Sequence, residues 1–347
     1  MDSAQSKGAV YEPPMQKKKG IPGSTVKIVA VVTMLIDHTA AVLLTRIVLA
    51  RGYYAAMWDA ERFLAWMKEN WLLFYGMQVM RLIGRLGFPI FCFLLVEGFQ
   101  KTRNVKKYIF RLGLFALISE IPFDLALTGR MWYFGYQNVY FTLLIGILTL
   151  WGFDALAKLK AEKWLRILLT AGGILLFPLC VALRLRAVVT GFLAGFFGAE
   201  IYGLERLIFC VIYAGLFVML LSAWGIYRHK KGADSAWRMC GDLGVLAVTM
   251  MLATLLQTDY GGMGVLTIAV MYALRKNKVL SMTGGCVTLT VMSLSEITAF
   301  FALIPIARYN GERGLKMKYF FYIFYPAHLL ILWLICYAMG IGGISAI

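Results

Sequence analysis

Long apolar stretches, separated by short polar and basic segments, follow one another along almost the whole chain of 347 residues. Most of them approach the roughly 20 residues that an α-helix needs to cross a bilayer. The stretches are 24–49, 82–99, 108–127, 139–156, 240–257, 264–274, 279–304 and 319–339, with three more between 164 and 227. The length and the pattern predict an all-α polytopic transmembrane helix bundle of roughly ten spans.

Two segments depart from this pattern. Residues 1–23 are polar, with three consecutive lysines, and are predicted to be a disordered cytoplasmic tail. Residues 24–347 then form a single transmembrane helical domain, whose first helix is predicted to be capped by Ser24-Thr25. Within this domain, residues 51–80 mix aromatic with charged side chains, which is typical of an interfacial amphipathic segment.

Basic residues form short clusters between the apolar runs. The clusters are 17–19, 101–107, 158–166, 228–231 and 275–278. Loops of this kind stay on the cytoplasmic side by the positive-inside rule. The formal charge of +17, in a chain that is 61% hydrophobic, therefore indicates a multi-pass membrane protein with its basic loops in the cytoplasm. Its partner is the lipid bilayer and no nucleic acid is expected, while a basic mouth also suits anionic headgroups or a polyphosphate cosubstrate.

The positive-inside rule conflicts with the apolar runs in two places. Three full crossings between 164 and 227 would carry Arg228–Lys231 outside, so the glycine-rich run 191–203 is predicted to be short or re-entrant. A crossing by 279–304 would place the basic segment 308–318 outside. Either that segment folds into the protein or the count of spans is off by one.

Lys27 and His38 share one face of the first predicted helix. They lie almost three helical turns and about 16 Å apart along the axis, with the cation at one membrane surface and the imidazole near mid-depth. Ionisable side chains at that depth are costly and indicate function. Asp37 is adjacent, but neighbouring helical residues point about 100° apart. A carboxylate from another helix is therefore an alternative partner to orient His38.

Two pairs of charged residues are spaced by one helical turn on the next two spans. Arg81 and Arg85 either snorkel to the interface or point into the bundle toward a carboxylate or an anionic substrate. Glu120 and Asp124 either pair with Arg81, Arg85 or Arg111, or orient a catalytic base or bind an amine acceptor.

Other polar positions have open interpretations. Gln137-Asn138 either caps the fourth span or bonds inside a polar cavity. Asp259-Tyr260 marks a turn, and Glu296 is expected to face the bundle interior. His328 either bonds a backbone group or acts in catalysis. The six cysteines are scattered without paired spacing, so no metal or redox site is indicated.

Nearly all of the chain after Ser24 resembles the TraX family, named for a conjugal-transfer protein that acetylates a pilin N-terminus. The similar blocks are Ile36-Asp37-His38, Arg81 to Arg85 with Phe88-Pro89, Glu97-Gly98-Phe99, Arg111-Leu112, Ser119 to Asp124, Gln137-Asn138, Asp259-Tyr260-Gly261, Tyr309-Asn310-Gly311 and Tyr325 to His328. The spacing of Lys27 and His38 is also similar to a signature of membrane acyltransferases that O-acetylate surface glycans.

The resemblance implies an acyltransferase-like bundle around a donor channel. Acetyl-CoA from the cytoplasm would be the cosubstrate, without a metal, and the acceptor would be an amine or hydroxyl of a protein N-terminus or a glycan. The implied catalytic residues are His38, as general base, with Asp37, Glu120 and Asp124. The implied cofactor-binding residues are Lys27, Arg81, Arg85 and Arg111. The implied substrate-binding residues are Glu97, Gln137, Asn138, Asp259, Tyr260, Asn310, Tyr325 and His328.

Two other classes of function stay open. Buried Asp, Glu and His side chains also form proton relays in proton-coupled transporters, although paired halves with interrupted helices are not visible in this sequence. A non-enzymatic membrane scaffold that positions envelope partners is the third hypothesis. Binding of labelled acetyl-CoA separates the enzyme from both alternatives.

Overall fold

Helices make up nearly all regular structure in the computed structural model, which describes residues 19–316 and 318–347. Across these ranges there is no β-strand, and only two isolated bridges occur, Ile21 with Tyr309 and Gln137 with Thr258. The predicted all-α class is therefore confirmed. Seven helices of the described part are long and apolar enough to cross a membrane. The count of roughly ten spans and the acyltransferase-like arrangement stay predictions.

The helices are numbered in chain order as α1 (Gly23–Ala50), α2 (Tyr53–Ala56), α3 (Ala60–Gly84), α4 (Gly87–Lys101), α5 (Val105–Thr128), α6 (Val139–Lys158), α7 (Lys163–Phe197), α8 (Glu205–Lys231), α9 (Ala233–Leu255), α10 (Gly261–Ala273), α11 (Lys278–Met292), α12 (Leu303–Arg308) and α13 (Lys318–Ala338). The middle of α1, Thr39–Leu44, is π-helical. Two 3₁₀ segments, Ala199–Leu204 and Leu294–Ala302, follow α7 and α11. The main apolar core lies where α1, α4, α5, α6, α10, α11 and α13 meet.

The start of α1 is held by the loop before α13. No side chain caps the helix, so the predicted capping by Ser24-Thr25 is wrong. Carbonyl groups accept from the free amides instead, since Gly23 N–H donates to Glu312 O at 2.7 Å and Ser24 N–H to Arg313 O at 3.0 Å. Residues 19–23 of the predicted tail therefore pack on the bundle, whereas residues 1–18 lie outside the described part of the chain.

The segment 51–80, predicted to be interfacial, is mostly helical. The Asp59 carboxylate accepts from Arg62 N–H at 3.0 Å and caps α3. From there α3 runs without a break to Gly84, and α4 begins at Gly87 after a single turn. The break between the two helices therefore comes a few residues later than the predicted boundary. The position of this segment at a membrane interface stays a prediction.

Residues 164–227 form two long helices rather than three separate pieces. The sequence just before Arg186 consists of leucine, arginine and alanine, which all favour a continuing helix. As a result α7 runs on through the run 191–197, and the predicted short or re-entrant piece there is wrong. Arg186 lies 3.8 Å from Glu205, at the start of α8. Two helices return the chain to the end of the bundle from which α7 started.

The stretch Lys278–Arg308 enters the bundle and returns to the same end, so the predicted crossing by this stretch is wrong. Lys278 Nζ donates to the backbone oxygen of Tyr309 at 2.5 Å and closes the stretch at its base. At its tip, Thr298 Oγ1 donates to the backbone oxygen of Leu82 in α3 at 2.8 Å. Irregular backbone is tolerated at membrane depth only where protein surrounds and bonds it. We call this stretch the re-entrant segment.

Both basic segments that conflicted with the positive-inside rule therefore lie at one end of the bundle. Arg166 Nη1 is 2.5 Å from the Asp234 carboxylate, so α9 begins beside the start of α7. Lys101 Nζ donates to the backbone oxygen of Gly311 at 3.0 Å, so the loop after α12 lies beside the end of α4. We call this the basic end, and the rule makes it the expected cytoplasmic side.

A buried arginine ties the C-terminal residues to the bundle. The Arg46 side chain is fully buried, and in the described part of the chain it forms no ion pair. Its Nε donates to Ile344 O at 2.8 Å and its Nη1 donates to Val42 O at 3.0 Å and to Ala126 O. Ala126 lies in the last turn of α5, where helix carbonyls carry partial negative charge. Main-chain dipoles therefore stabilise this cation.

Candidate active site

Two histidines from opposite ends of the sequence meet inside the bundle. His38 ends the regular first part of α1, just before its π-helical stretch, and His328 lies on α13. His38 Nδ1 is 2.6 Å from His328 Nε2, and the two rings are 19° from parallel. His328 is buried, whereas His38 is only partly buried. Both side chains therefore lie within the bundle, with His328 the more enclosed residue of the two.

Asp37 points away from the histidine pair. Its carboxylate lies 2.6 Å from Arg81 Nη1. This contact requires α1 and α3 to pack closely, and Gly84 permits it, because a Cβ there would come within 2.2 Å of the Asp37 Cβ. The residue that contacts His38 is thus an imidazole from another helix, and neither Asp37 nor another carboxylate among the described residues takes that place.

Arg85 forms the second ion pair of this region. Its Nη1 lies 2.9 Å from the carboxylate of Glu296 at the tip of the re-entrant segment. Arg85 also interacts electrostatically with Tyr260. Of the two interpretations of the arginine pair, the structure therefore has both side chains pointing into the bundle toward carboxylates. Glu296 faces the interior as expected.

The turn between α9 and α10 packs beside these ion pairs. Tyr136 Oη donates to the Asp259 carboxylate at 2.7 Å. Burial raises the pKa of Asp259 above its ordinary value. Tyr260 has a left-handed φ of 63°, and its ring stacks on Phe88 with centroids 3.7 Å apart. The contact with Arg85 and this stacking hold a backbone conformation that non-glycine residues rarely adopt.

Glu120 and Asp124 make hydrogen bonds rather than ion pairs in the described structure. The amide of Asn138 donates to Glu120 Oε2, and the same amide donates to Ala116 O at 2.8 Å. Asp124 Oδ2 accepts from Tyr133 N–H at 2.8 Å. Asn138 also caps α6, since its Oδ1 accepts from the backbone of that helix's first turn. One carboxylate oxygen of each acid has no hydrogen-bond partner.

Gln137 holds the turn from its backbone rather than from its side chain. Its N–H donates to Gln257 O at 3.0 Å, and its oxygen accepts from Asp259 N–H at 2.9 Å. The Gln137 side chain donates to Phe134 O at 2.8 Å. Of the two interpretations offered for the pair, Asn138 therefore both caps a helix and bonds inside the bundle, whereas Gln137 bonds its own loop.

A cavity of about 630 Å³ opens at the basic end. Lys27, Arg111 and Arg313 line it, and in the described structure no carboxylate lies within ion-pair distance of these three cations. Glu97 also lines the cavity, but it is neutralised by Lys101 at 2.6 Å. Aromatic rings form most of the remaining wall, contributed by Phe91, Tyr108, Tyr140, Tyr309, Phe321 and Tyr322. The basic cavity, as we call it, therefore has an excess of positive charge and an aromatic lining.

A short series of rings connects the basic cavity to the histidine pair. Tyr140 lines the cavity, and its ring lies 4.9 Å from that of Tyr325. The Tyr325 ring lies 5.8 Å from that of His38. Lys27 and His38 lie on the same helix, so α1 spans the distance from cavity to imidazole, as the sequence pattern predicted. The Lys27 ammonium group lies 5.4 Å from the centre of the Phe321 ring.

The sixteen predicted site residues thus fall into separate groups. The basic cavity receives Lys27, Glu97 and Arg111, with Asn310 beside its lining residues Tyr309 and Gly311. His38, Tyr325 and His328 lie at the centre of the bundle. Beside them lie the ion pairs and the turn, formed by Asp37, Arg81, Arg85, Asp259 and Tyr260. A third group is hydrogen-bonded and consists of Glu120, Asp124, Gln137 and Asn138. Arg81 and Arg85, assigned from the resemblance to cofactor binding, do not line the basic cavity.

Several residues of this region were not singled out from the sequence. Arg313, Tyr140 and Tyr322 line the basic cavity, and Tyr136 bonds Asp259. Tyrosines are frequent in this chain, so residue type alone carried no signal. Arg313 lies in a basic segment whose predicted position was on the other side of the membrane.

The fold and the site define a polytopic helical membrane protein with a hydrogen-bonded histidine pair near a basic cavity. The family model described as TraX protein matches residues 22–214 and 197–336. The chain therefore belongs to the TraX family, as its resemblance to that family indicated.

One curated relative and the solved structures were also compared with the chain. A probable fimbrial assembly protein FimC, serogroup H1, from Dichelobacter nodosus is 31% identical over 131 residues. The match covers 36% of this chain and 43% of the relative, so the chain spans less than half the length of that protein. No solved structure matches the chain.

Proposed function

We propose that the protein is a membrane acyltransferase that transfers an acetyl group from acetyl-CoA to an amine or hydroxyl of an envelope-associated acceptor. It would lie in the bacterial cytoplasmic membrane with its basic end in the cytoplasm. The observation that carries the proposal is the position of the basic cavity, whose lining residue Tyr140 packs on Tyr325, which in turn packs on His38.

The basic cavity suits the donor in charge and in shape. CoA carries three phosphate groups on a nucleotide and a long, neutral pantetheine arm. Lys27, Arg111 and Arg313 supply cations that no described carboxylate neutralises, and such cations bind phosphate oxygens through charge-assisted hydrogen bonds. The aromatic wall offers rings against which the adenine stacks. The thioester would then lie toward His38, at the inner end of the arm.

The chemistry follows from the imidazole. The acceptor nitrogen or oxygen attacks the thioester carbonyl carbon while His38 takes the acceptor's proton. The carbon–sulfur bond then breaks, and the CoA thiolate takes the proton back from His38. The products are the acetylated acceptor and CoA with a free thiol, so no metal or redox step is required for the balance.

The acceptor class is supported by the family and by the relative. The TraX resemblance implies acetylation of a pilin N-terminus, and the relative is named for fimbrial assembly. We therefore place pilin-like membrane proteins first among acceptors, with surface glycans as the second class. A membrane-embedded site suits either one, because both are assembled at the membrane.

Equilibrium binding to the purified full-length protein in nanodiscs tests the donor assignment. We expect saturable binding of radiolabelled acetyl-CoA, competition by CoA, and slow hydrolysis of the thioester when no acceptor is present. A transporter or a scaffold predicts no saturable binding at any concentration of acetyl-CoA, and that result would overturn the proposal.

A further inference from the structure

We infer that His328 is a positioning residue that fixes the tautomer of His38, so that Nε2 of His38 is the atom that accepts the acceptor's proton. The inference rests on the proposed function for its catalytic meaning. The hydrogen-bond assignment on which it depends stands on the geometry of two imidazoles and one carbonyl group.

The assignment begins at the backbone. His328 Nδ1 lies 2.7 Å from the carbonyl oxygen of Phe324, one turn earlier on α13. A carbonyl oxygen can only accept, so the hydrogen of this bond lies on His328 Nδ1. A neutral imidazole carries one N–H, which leaves His328 Nε2 as an acceptor. This carbonyl therefore decides the state of both nitrogens of His328.

The second step transfers this constraint to His38. His328 Nε2 lies 2.6 Å from His38 Nδ1, so the hydrogen between them lies on His38 Nδ1. The ring centroids are 4.9 Å apart and the planes differ by 19°, which fits two rings joined edge to edge in nearly one plane rather than a face-to-face stack. The bond is therefore well aligned, and the lone pair of His38 remains on Nε2.

Burial supports the division of roles. Only 4% of His328 is exposed, whereas His38 keeps accessible surface. The Phe324 and Tyr325 rings lie 4.8 Å and 5.7 Å from the His328 ring and restrict its rotation. In other active sites, too, the hydrogen-bond partner of one ring nitrogen fixes the protonation of the opposite nitrogen.

The hydrogen bond between the two imidazoles also stabilises the positive charge that forms on His38 during the reaction. When His38 Nε2 takes the acceptor's proton, the ring becomes an imidazolium whose Nδ1–H donates to His328. The second imidazole stabilises that cation through a charge-assisted hydrogen bond, and the proton returns from Nε2 to the CoA thiolate at the end of the step. Asp37 does not supply this stabilisation, because Arg81 neutralises it.

Nitrogen NMR of histidine-labelled protein in nanodiscs tests the tautomer without any reaction. The chain has only three histidines, His38, His229 and His328, and the exposed His229 gives the reference signal and the control variant His229→Gln. In the wild-type protein we expect His38 to carry hydrogen on Nδ1 and a bare Nε2. In His328→Phe we expect this preference to be lost, and in His328→Gln to be retained, since a glutamine oxygen accepts from Nδ1–H.

Acetyl transfer supplies the functional arm. His328→Phe should lower turnover by about 100-fold or more, as expected for loss of an oriented general base, with unchanged acetyl-CoA binding. His328→Gln should recover much of that loss, and His229→Gln should behave as wild type.

The two arms fail differently. If His38 carries hydrogen on Nε2 in the wild-type protein, the positioning role of His328 is overturned while the proposed function stands. Full turnover in folded His328→Phe would have the same consequence. If the expected tautomer is observed but acetyl-CoA does not bind, the hydrogen-bond assignment holds and the proposed function fails.

Discussion

Replacing Glu296 by glutamine removes the carboxylate that Arg85 faces at the tip of the re-entrant segment. The tip is otherwise joined to α3 by the hydrogen bond from Thr298 to Leu82. Its return path depends on these contacts, because a 3₁₀ segment inside the bundle makes fewer regular hydrogen bonds than a straight helix. We therefore expect Glu296→Gln to loosen the re-entrant segment from its tip.

The magnitude follows from the exposure of the two side chains. Breaking a fully buried ion pair by removing one partner costs about 3–5 kcal/mol, because the other charge is left unpaired. The Glu296 side chain is 1% exposed, but the Arg85 side chain is 23% exposed and keeps some contact with solvent. We therefore place Glu296→Gln at the lower end, at about 3 kcal/mol. The double variant Arg85→Met/Glu296→Gln should cost about 2 kcal/mol less than the sum of the single changes Arg85→Met and Glu296→Gln.

The free energy of unfolding in mixed micelles, measured for the four members of this cycle, gives the coupling. Hydrogen exchange of the amides in 294–302 shows whether the loss is local, and we expect faster exchange there before the rest of the bundle opens. Arg62→Met removes an exposed ion-pair partner and serves as the control with little change. If the single changes add without coupling, or if exchange at the tip is unaltered, the ion pair does not hold the re-entrant segment.

Three further changes have expected outcomes. Lys27→Met or Arg111→Met should each weaken acetyl-CoA binding about tenfold, as for loss of one charge-assisted hydrogen bond, whereas Arg228→Met, far from the basic cavity, should bind as wild type in the same titration. Arg46→Met leaves buried carbonyl groups without their donor and should lower the free energy of unfolding by about 3 kcal/mol, seen also as faster proteolysis of the C-terminal residues. Burial raises the pKa of Asp259, so the folded protein binds the Asp259 proton more tightly than the unfolded chain does. The free energy of unfolding therefore falls as pH rises through the pKa of Asp259 in the folded protein. Asp259→Asn should therefore raise the thermal midpoint more in alkaline than in acidic buffer, and an equal shift in both would contradict this.

The parts of the fold that were predicted correctly depend on short-range patterns. The length of the apolar runs gave the helical class, and the spacing of Lys27 and His38 placed one cation and one imidazole along α1. The TraX resemblance was also correct. These features need only the rise of a helix, the thickness of a bilayer and matched blocks of residues.

The errors arose where the path of the chain depends on distant contacts. A run of apolar residues predicts burial in lipid or protein but not direction, so 279–304 resembled a crossing although Glu296 and Thr298 hold its middle inside the bundle. The basic segment 308–318 was the available signal against a crossing, because a crossing by 279–304 would have placed it outside, against the positive-inside rule. The basic segment Arg228–Lys231 also conflicted with the positive-inside rule. There the number of helices was overestimated, because two of the three predicted apolar pieces form one helix.

The centre of the site could not be assembled from the sequence for the same reason. His38 and His328 are 290 residues apart, and nothing in either local pattern names the other. His328 carried two open interpretations, one structural and one catalytic. Helix geometry already pointed from Asp37 to a partner on another helix, but the expected carboxylate is an imidazole, His328.

Transfer of the acetyl group tests the central proposal most directly. Membranes that contain the protein, or its His38→Ala variant, would be given acetyl-CoA labelled in the acetyl carbon, and the label would be followed into the proteins and glycans of the envelope. We expect transfer by the wild-type protein and none by His38→Ala, although the variant should bind acetyl-CoA with wild-type affinity. Transfer by folded His38→Ala at the wild-type rate would contradict the role of His38 as general base.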